Sequence, residues 1–91
     1  MKTSALLGAW HDYLAEGRRR SPHTVRAYVA TAGRLLDEYG ETDWPALARL
    51  DAGALRAQLA RRRADGIGND SSARELSALK AFLTFAREQA G

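Results

Sequence analysis

Apolar side chains recur at three- and four-residue intervals in four separate stretches of this chain of 91 residues. Such spacing puts them along one side of an α-helix, whereas a half-buried strand would alternate them every second residue. The four apolar sets are Leu6, Trp10, Tyr13 and Leu14; Val25, Tyr28, Val29, Ala32, Leu35, Leu36 and Tyr39; Leu55 and Leu59; and Leu76, Leu79, Phe82, Leu83 and Ala86. No strand pattern or internal repeat interrupts them. We therefore predict an all-α fold of four helices around a single core, in one domain that covers residues 1–91.

The clearest boundaries enclose the second helix. Ser21 can cap its first turn through the side-chain hydroxyl, and Pro22 fits the first helical position because the missing N–H would have no intrahelical partner. The helix is predicted to run to Tyr39. It should stop at Gly40, since glycine adopts the left-handed conformation without a Cβ clash.

The first and third helices are placed by similar capping side chains. Either Thr3 or Ser4 can cap a first helix that is predicted to reach Glu16. Asp51 is predicted to cap a third helix that extends to about Ala64.

Two segments between helices are predicted to be irregular. The connector at 41–50 is expected to hold a short turn of helix after its Trp-Pro pair. The Asp-Gly-Ile-Gly-Asn segment at 65–69 is typical of a turn, because its residues tolerate unusual backbone angles. Asp70 or Ser71 is then predicted to start the last helix.

Composition excludes several classes of protein. The chain has no cysteine, which rules out disulfide frameworks and thiolate metal sites. No stretch approaches the roughly 20 apolar residues that span a bilayer, and the first ten residues lack the apolar run of a signal peptide. We therefore expect a cytoplasmic protein without a membrane partner.

Side chains that could support catalysis or metal binding lack the necessary arrangement. His11 and His23 have no further ligand at metal-binding spacing. There is no glycine-rich phosphate loop, no paired carboxylates in a plausible cleft and no Ser/His/Asp set. The sequence thus predicts no catalytic residue, no metal, no cofactor and no small-molecule substrate.

The formal net charge of +3 is unevenly distributed along the chain. Five arginines and no acid lie between Gly17 and Leu36, whereas the segment from Asp37 to Asp51 contains five acids and one arginine. Three consecutive arginines then follow at 61–63. This separation favours a basic face and a polyanionic partner, with an ordinary solvated helical surface as the alternative.

The polar faces of the second and last helices combine long cations with small side chains. Those faces carry His23, Arg26, Ala27, Ala30 and Arg34 on the second helix, and Arg74, Ser77, Lys80, Ala81 and Thr84 on the last. Small side chains let a helix approach DNA closely, while arginine and lysine reach phosphates or base edges. Double-stranded DNA is therefore the predicted partner.

Polar residues surround the starts of the same two helices. Ser21, His23 and Thr24 lie at one start, and Ser71 and Ser72 at the other. Free N–H groups at a helix N-terminus attract phosphate oxygens. Plain capping explains Ser21 and one of Asp70 or Ser71 completely, and it leaves Thr24 and Ser72 unexplained.

Two motifs give the chain a family resemblance. Residues 21–28 read Ser-Pro-His-Thr-Val-Arg-Ala-Tyr, and residues 74–83 read Arg-Glu-Leu-Ser-Ala-Leu-Lys-Ala-Phe-Leu. Both resemble segments of the amino-terminal, SAM-like core-binding domain of tyrosine recombinases and phage integrases of the Xer type. The basic stretch at 61–63 and the opening helix occupy the corresponding places, so the resemblance covers nearly the whole chain.

The resemblance implies a four-helix SAM-like bundle that clamps one side of a DNA duplex. Its second and fourth helices would cross the major groove, and its first would help to join neighbouring recombinase protomers on DNA. The positions that match DNA-facing residues of the family are Thr24, Arg26, Arg74, Ser77 and Lys80. Ser21, His23, Ser71 and Ser72 are further candidates for phosphate contact.

Catalysis in that family requires an Arg, Lys, His-x-x-Arg, His or Trp constellation and a nucleophilic tyrosine in a carboxy-terminal domain. None of these is recognisable here, so we expect a truncated or isolated domain that is not itself an enzyme. A nucleoid-associated role in chromosome dimer resolution, as in Xer recombinases, is preferred over phage integration because no arm-binding domain precedes Thr3.

Two other functions are compatible with a small helical domain. A protein–protein interaction or oligomerisation module would present an exposed apolar patch beyond the four core stripes. A helix-turn-helix regulator would need a turn of about three or four residues before its recognition helix. The ten-residue connector at 41–50 fits that motif poorly.

Overall fold

The computed structural model describes all 91 residues and contains helices but no strand, which confirms the all-α prediction. The helices are α1 (Thr3–Asp12), α2 (Pro22–Asp37), α3 (Trp44–Ala48), α4 (Ala52–Ala64) and α5 (Asn69–Ala90). A π-helical segment at Tyr13–Gly17 extends α1. The structure thus has five helices where four were predicted, although α3 is the short turn expected in the connector. No helix combines the length and the hydropathy needed to cross a bilayer.

Helix α5 forms the centre of the fold and packs against α2, α3 and α4. Its inner side buries Leu79 and Phe82 completely. The Phe82 ring lies 5.4 Å from that of Trp10 and 6.0 Å from that of Trp44, measured between centroids. Burial of each large apolar side chain contributes about 1.5–3 kcal/mol, so this aromatic cluster fixes α1 and α3 against the central helix.

Helix α2 begins as the sequence predicts. The Ser21 Oγ accepts a hydrogen bond from the Thr24 N–H at 3.2 Å, and Pro22 occupies the first helical position. The helix ends at Asp37, two residues earlier than predicted, and Gly40 follows with φ of +65°. Tyr39 therefore leaves the apolar stripe and is 41% exposed.

Helix α1 starts without the predicted hydroxyl cap. Lys2 is the N-cap residue and its side chain makes no capping bond, so both Thr3 and Ser4 lie inside the helix. At the other end, the Arg18 N–H donates to the Tyr13 carbonyl five residues earlier at 2.8 Å. Arg19 then takes φ of +51°, which turns the chain toward α2.

Helix α4 begins with a side-chain cap, whereas helix α5 does not. Asp51 caps α4 by accepting from the Ala54 N–H at 3.1 Å, and the helix ends at Ala64 as predicted. Helix α5 begins at Asn69, and its N-cap residue Gly68 has no side chain that could accept a capping hydrogen bond. The predicted start at Asp70 or Ser71 was therefore one or two residues late.

Candidate nucleic-acid interface

An open groove runs between α2 and α5, and we call it the α2–α5 groove. Its lining residues are Arg20, His23, Thr24, Ala27, Tyr28, Ala30, Thr31 and Arg34 on the α2 side; Arg62 and Ile67; and Ser71, Ala73, Arg74, Glu75, Ser77 and Ala78 on α5. The predicted polar face of α2 thus contributes all its residues except Arg26, whereas that of α5 contributes only Arg74 and Ser77. Ala81 and Thr84 of the latter face line a separate depression beside Trp10 and Tyr13.

The formal charge of the groove's lining residues equals the net charge of the whole chain. Four arginines and one carboxylate line it, which gives a formal charge of +3 with His23 neutral. The chain has 14 basic and 11 acidic residues, so the ten basic and ten acidic residues outside the groove cancel. The groove is therefore a surface that attracts polyanions.

Five of the sequence-predicted residues line the groove. They are His23, Thr24, Ser71, Arg74 and Ser77. Arg74 and Ser77 are exposed, and Thr24 and Ser71 are partly exposed. The Arg74 Nη2 lies 3.5 Å from the Ser71 Oγ, a long contact that leaves the guanidinium free to bind another group.

Three predicted residues lie beside the groove. Arg26 is exposed on the other side of α2, where it borders a shallow depression with His11 and Ala15 of the first helical segment. Lys80 is exposed one turn beyond Ser77 on α5 and so extends the same strip of the helix. Ser21 precedes the groove and its hydroxyl is engaged with Thr24, as acceptor from the N–H and donor to Oγ1 at 3.0 Å.

The structure removes Ser72 from the predicted set of phosphate-binding residues. Its side chain is buried, with 3% of the residue exposed, and its Oγ accepts from the Arg63 Nε at 3.4 Å. Its N–H is bound to the Gly68 carbonyl at 2.9 Å. Ser72 precedes the core residue Leu79 by seven positions, a spacing that already places both on one side of a helix.

A buried ion cluster beneath the groove was not predicted from the sequence. The Glu75 Oε1 accepts from Arg34 Nη2 at 2.7 Å and from Arg62 Nε at 3.0 Å, which ties α5 to both α2 and α4. The Glu75 side chain is only 10% exposed, against 36% for Arg34. Breaking such a cluster by removal of one partner should cost roughly 3 kcal/mol, the lower end for buried pairs because Arg34 still contacts solvent.

No three His, Asp or Glu side chains converge to form a group that could hold a metal ion. The His11 Nδ1 pairs with the adjacent Asp12 carboxylate at 3.2 Å, on an exposed part of α1. His23 lines the α2–α5 groove, whereas His11 does not.

Curated proteins similar to this chain carry the name tyrosine recombinase XerC. The one from Methylobacterium sp. (strain 4-46) is 39% identical over 80 residues, which cover 84% of this chain and 25% of the relative. The one from Rhodospirillum centenum is 35% identical over 85 residues, covering 88% and 25%. The one from Haemophilus influenzae is 31% identical over 83 residues, covering 91% and 28%. The chain spans about a quarter of the length of these relatives, and no solved structure matches it significantly.

The family model described as "Phage integrase, N-terminal SAM-like domain" matches residues 7–90. This range contains both walls of the α2–α5 groove and all the helices except the start of α1. The resemblance inferred from the motifs at 21–28 and 74–83 is thereby confirmed, and the chain belongs to the family of phage integrase N-terminal, SAM-like domains.

Proposed function

We propose that this chain is the DNA-binding amino-terminal domain of a tyrosine site-specific recombinase and that it holds a duplex in the α2–α5 groove. Strand exchange would be carried out by a catalytic domain of the parent protein, and the present chain would act as a non-enzymatic arm. In this proposal α1, α2, α4 and α5 form the SAM-like four-helix bundle, with α3 as an addition in the connector.

The observation that carries the proposal is the concentration of charge. The groove carries a formal charge of +3, as large as the net charge of the whole chain. Phosphate neutralisation by arginine and lysine dominates the affinity of proteins for DNA. A protein with the same total charge spread evenly would have no such preferred surface.

The shape of the groove supports the same partner. Its lining includes Ala27, Ala30, Ala73 and Ser77, which have short side chains and belong to α2 and α5. Short side chains allow the helix backbone to approach base edges in a major groove about 12 Å wide. Thr24, Ser77 and Arg74 are then the residues proposed to contact DNA within the groove, with Arg26 and Lys80 beside it.

The similarity to XerC proteins favours an Xer-like role in chromosome maintenance over phage integration. Such a role implies a cytoplasmic, nucleoid-associated protein that meets other recombinase protomers on DNA. A protein-interaction module is the alternative function. The surface gives this alternative little support, since the exposed large apolar side chains are only Met1 and Tyr39.

The proposal is tested by fluorescence-anisotropy titration of mixed-sequence duplex DNA at 50 and 200 mM salt. The double variant Arg20→Ala/Arg74→Ala removes two groove cations, and Arg49→Ala/Arg56→Ala removes two exposed arginines outside the groove. Each lost phosphate contact lowers the slope of log affinity against log salt by about 0.9. We expect the groove variant to bind more weakly, with a slope smaller by about 1.8, and the control to stay close to wild type.

Equal loss of affinity in the two double variants would contradict the groove as the binding site. Absence of wild-type binding even at 50 mM salt would reject DNA binding by this domain alone. In that case, self-association measured by analytical ultracentrifugation would support the protein-interaction module.

A further inference from the structure

Glu75 is the one acidic residue in the α2–α5 groove, and its presence there needs an explanation. It cancels one of four arginine charges on a surface that we propose for a polyanion. A carboxylate in that place would be expected to lower DNA affinity if it acted only through its charge. Its contacts indicate a different effect.

The carboxylate holds two long side chains from different helices. Its Oε1 accepts from Arg34 Nε at 3.2 Å and Nη2 at 2.7 Å, and both of its oxygens accept from Arg62 Nε, at 3.0 and 3.2 Å. Thr31 Oγ1 accepts a further bond from Arg34 Nη2 at 3.2 Å. The Asp65 carboxylate lies 4.0 Å from Arg62 Nη1, beyond hydrogen-bonding distance.

These bonds leave a defined set of donors free. A guanidinium has five N–H groups. Arg34 uses the Nε hydrogen and those of Nη2, so both hydrogens on Nη1 remain, while Arg62 uses only its Nε hydrogen and keeps both terminal nitrogens. Each arginine therefore stays able to bind a phosphate while it is held by Glu75.

We propose that Glu75 is a positioning residue that fixes Arg34 and Arg62 as a preorganised phosphate-binding pair on the floor of the α2–α5 groove. This inference rests on the proposed function, because it assigns a role to residues of the same DNA-binding site. A free arginine loses side-chain freedom when it binds a phosphate, whereas one already held in place loses less. The gain from preorganisation then exceeds the loss of one positive charge.

The positioning role and a role of charge alone predict effects of opposite sign for Glu75→Gln. The substitution adds one positive charge to the groove, so charge alone predicts tighter DNA binding. Positioning predicts weaker binding by about fivefold or more, since ordering each long side chain changes an equilibrium constant by a factor of roughly 2 to 12. It also predicts a salt slope smaller by about 0.9 for each phosphate contact that is lost.

The matched control is Asp70→Asn, which removes an exposed carboxylate of α5 that does not line the groove. We expect this control to bind DNA at least as tightly as wild type. A second variant, Arg62→Lys, keeps both the charge and Glu75 but replaces the planar fork by a flexible ammonium. It should bind DNA several-fold more weakly. Circular dichroism melting establishes that each variant is folded at the titration temperature.

Each outcome decides between the two proposals. If wild type binds DNA and Glu75→Gln binds it equally or more tightly, the positioning role is overturned whatever Arg62→Lys does, and the proposed function stands. If Glu75→Gln does not fold, Arg62→Lys decides: weaker binding supports positioning, and unchanged binding overturns it. If wild type does not bind DNA, both proposals fail together.

Discussion

Replacement of Ser21 by alanine distinguishes a hydroxyl that caps a helix from one that binds DNA. The Ser21 Oγ accepts from the Thr24 N–H at 3.2 Å and lies 3.0 Å from the Thr24 Oγ1. Loss of an N-cap hydroxyl costs about 1 kcal/mol. For a domain of this size, that loss lowers the melting temperature by roughly 4–8 °C. We expect Ser21→Ala to show this decrease, measured by circular dichroism, with DNA affinity within about twofold of wild type below the transition.

Ser21→Asp provides the complementary test. A carboxylate is as good an N-cap as a hydroxyl, so the melting temperature should stay near that of wild type. The same carboxylate adds a negative charge next to Arg20, which lines the groove, and DNA affinity should fall. The structural reasoning would be refuted if Ser21→Ala melted like wild type but bound DNA much more weakly. The hydroxyl would then contact a DNA phosphate and would not stabilise the helix.

Two further predictions concern stability and are measured by urea denaturation followed by circular dichroism. Phe82→Ala should reduce the free energy of unfolding by about 3–5 kcal/mol, because this fully buried ring packs between Trp10 and Trp44; a loss below about 1 kcal/mol would contradict the central position of α5. Gly8→Ala and Gly40→Ala should have opposite effects. Gly8 is helical with open space around its Cβ position and should gain about 0.5–1 kcal/mol, whereas Gly40 has φ of +65° and should lose about 1 kcal/mol. Shifts of the same sign in the two glycine variants would refute this assignment.

Helix boundaries were predictable where a side chain makes the cap. Ser21 and Asp51 each accept a hydrogen bond from an N–H three residues later, and such local bonds depend on residue type alone. The starts of α1 and α5 rest instead on the extended backbone of Lys2 and Gly68, which make no side-chain bond. The sequence has side chains able to cap shortly after these residues, Thr3 or Ser4 for α1 and Asp70 or Ser71 for α5, and the predicted starts followed them and were wrong.

The groove was only partly predictable for a related reason. The apolar stripes determine which sides of α2 and α5 remain outside the core, and His23, Arg34, Arg74 and Ser77 follow from that geometry. The environment of Glu75 does not, because its two arginine partners are 41 and 13 residues away in the chain. Only the packing of α2 and α4 against α5 brings these three charges together.

The distribution of charge also limits how strongly this domain can hold DNA. If each of the four groove arginines neutralises one phosphate, affinity should fall roughly 150-fold between 50 and 200 mM salt, from a slope of about 0.9 per contact. The ten basic and ten acidic residues outside the groove add no net charge. In the proposed role, such a domain would favour one orientation on the duplex, and much of the affinity would come from the rest of the parent protein. Under the proposed function, Glu75 contributes to the same single orientation. It holds two arginines in fixed positions, although it removes one unit of positive charge from the groove.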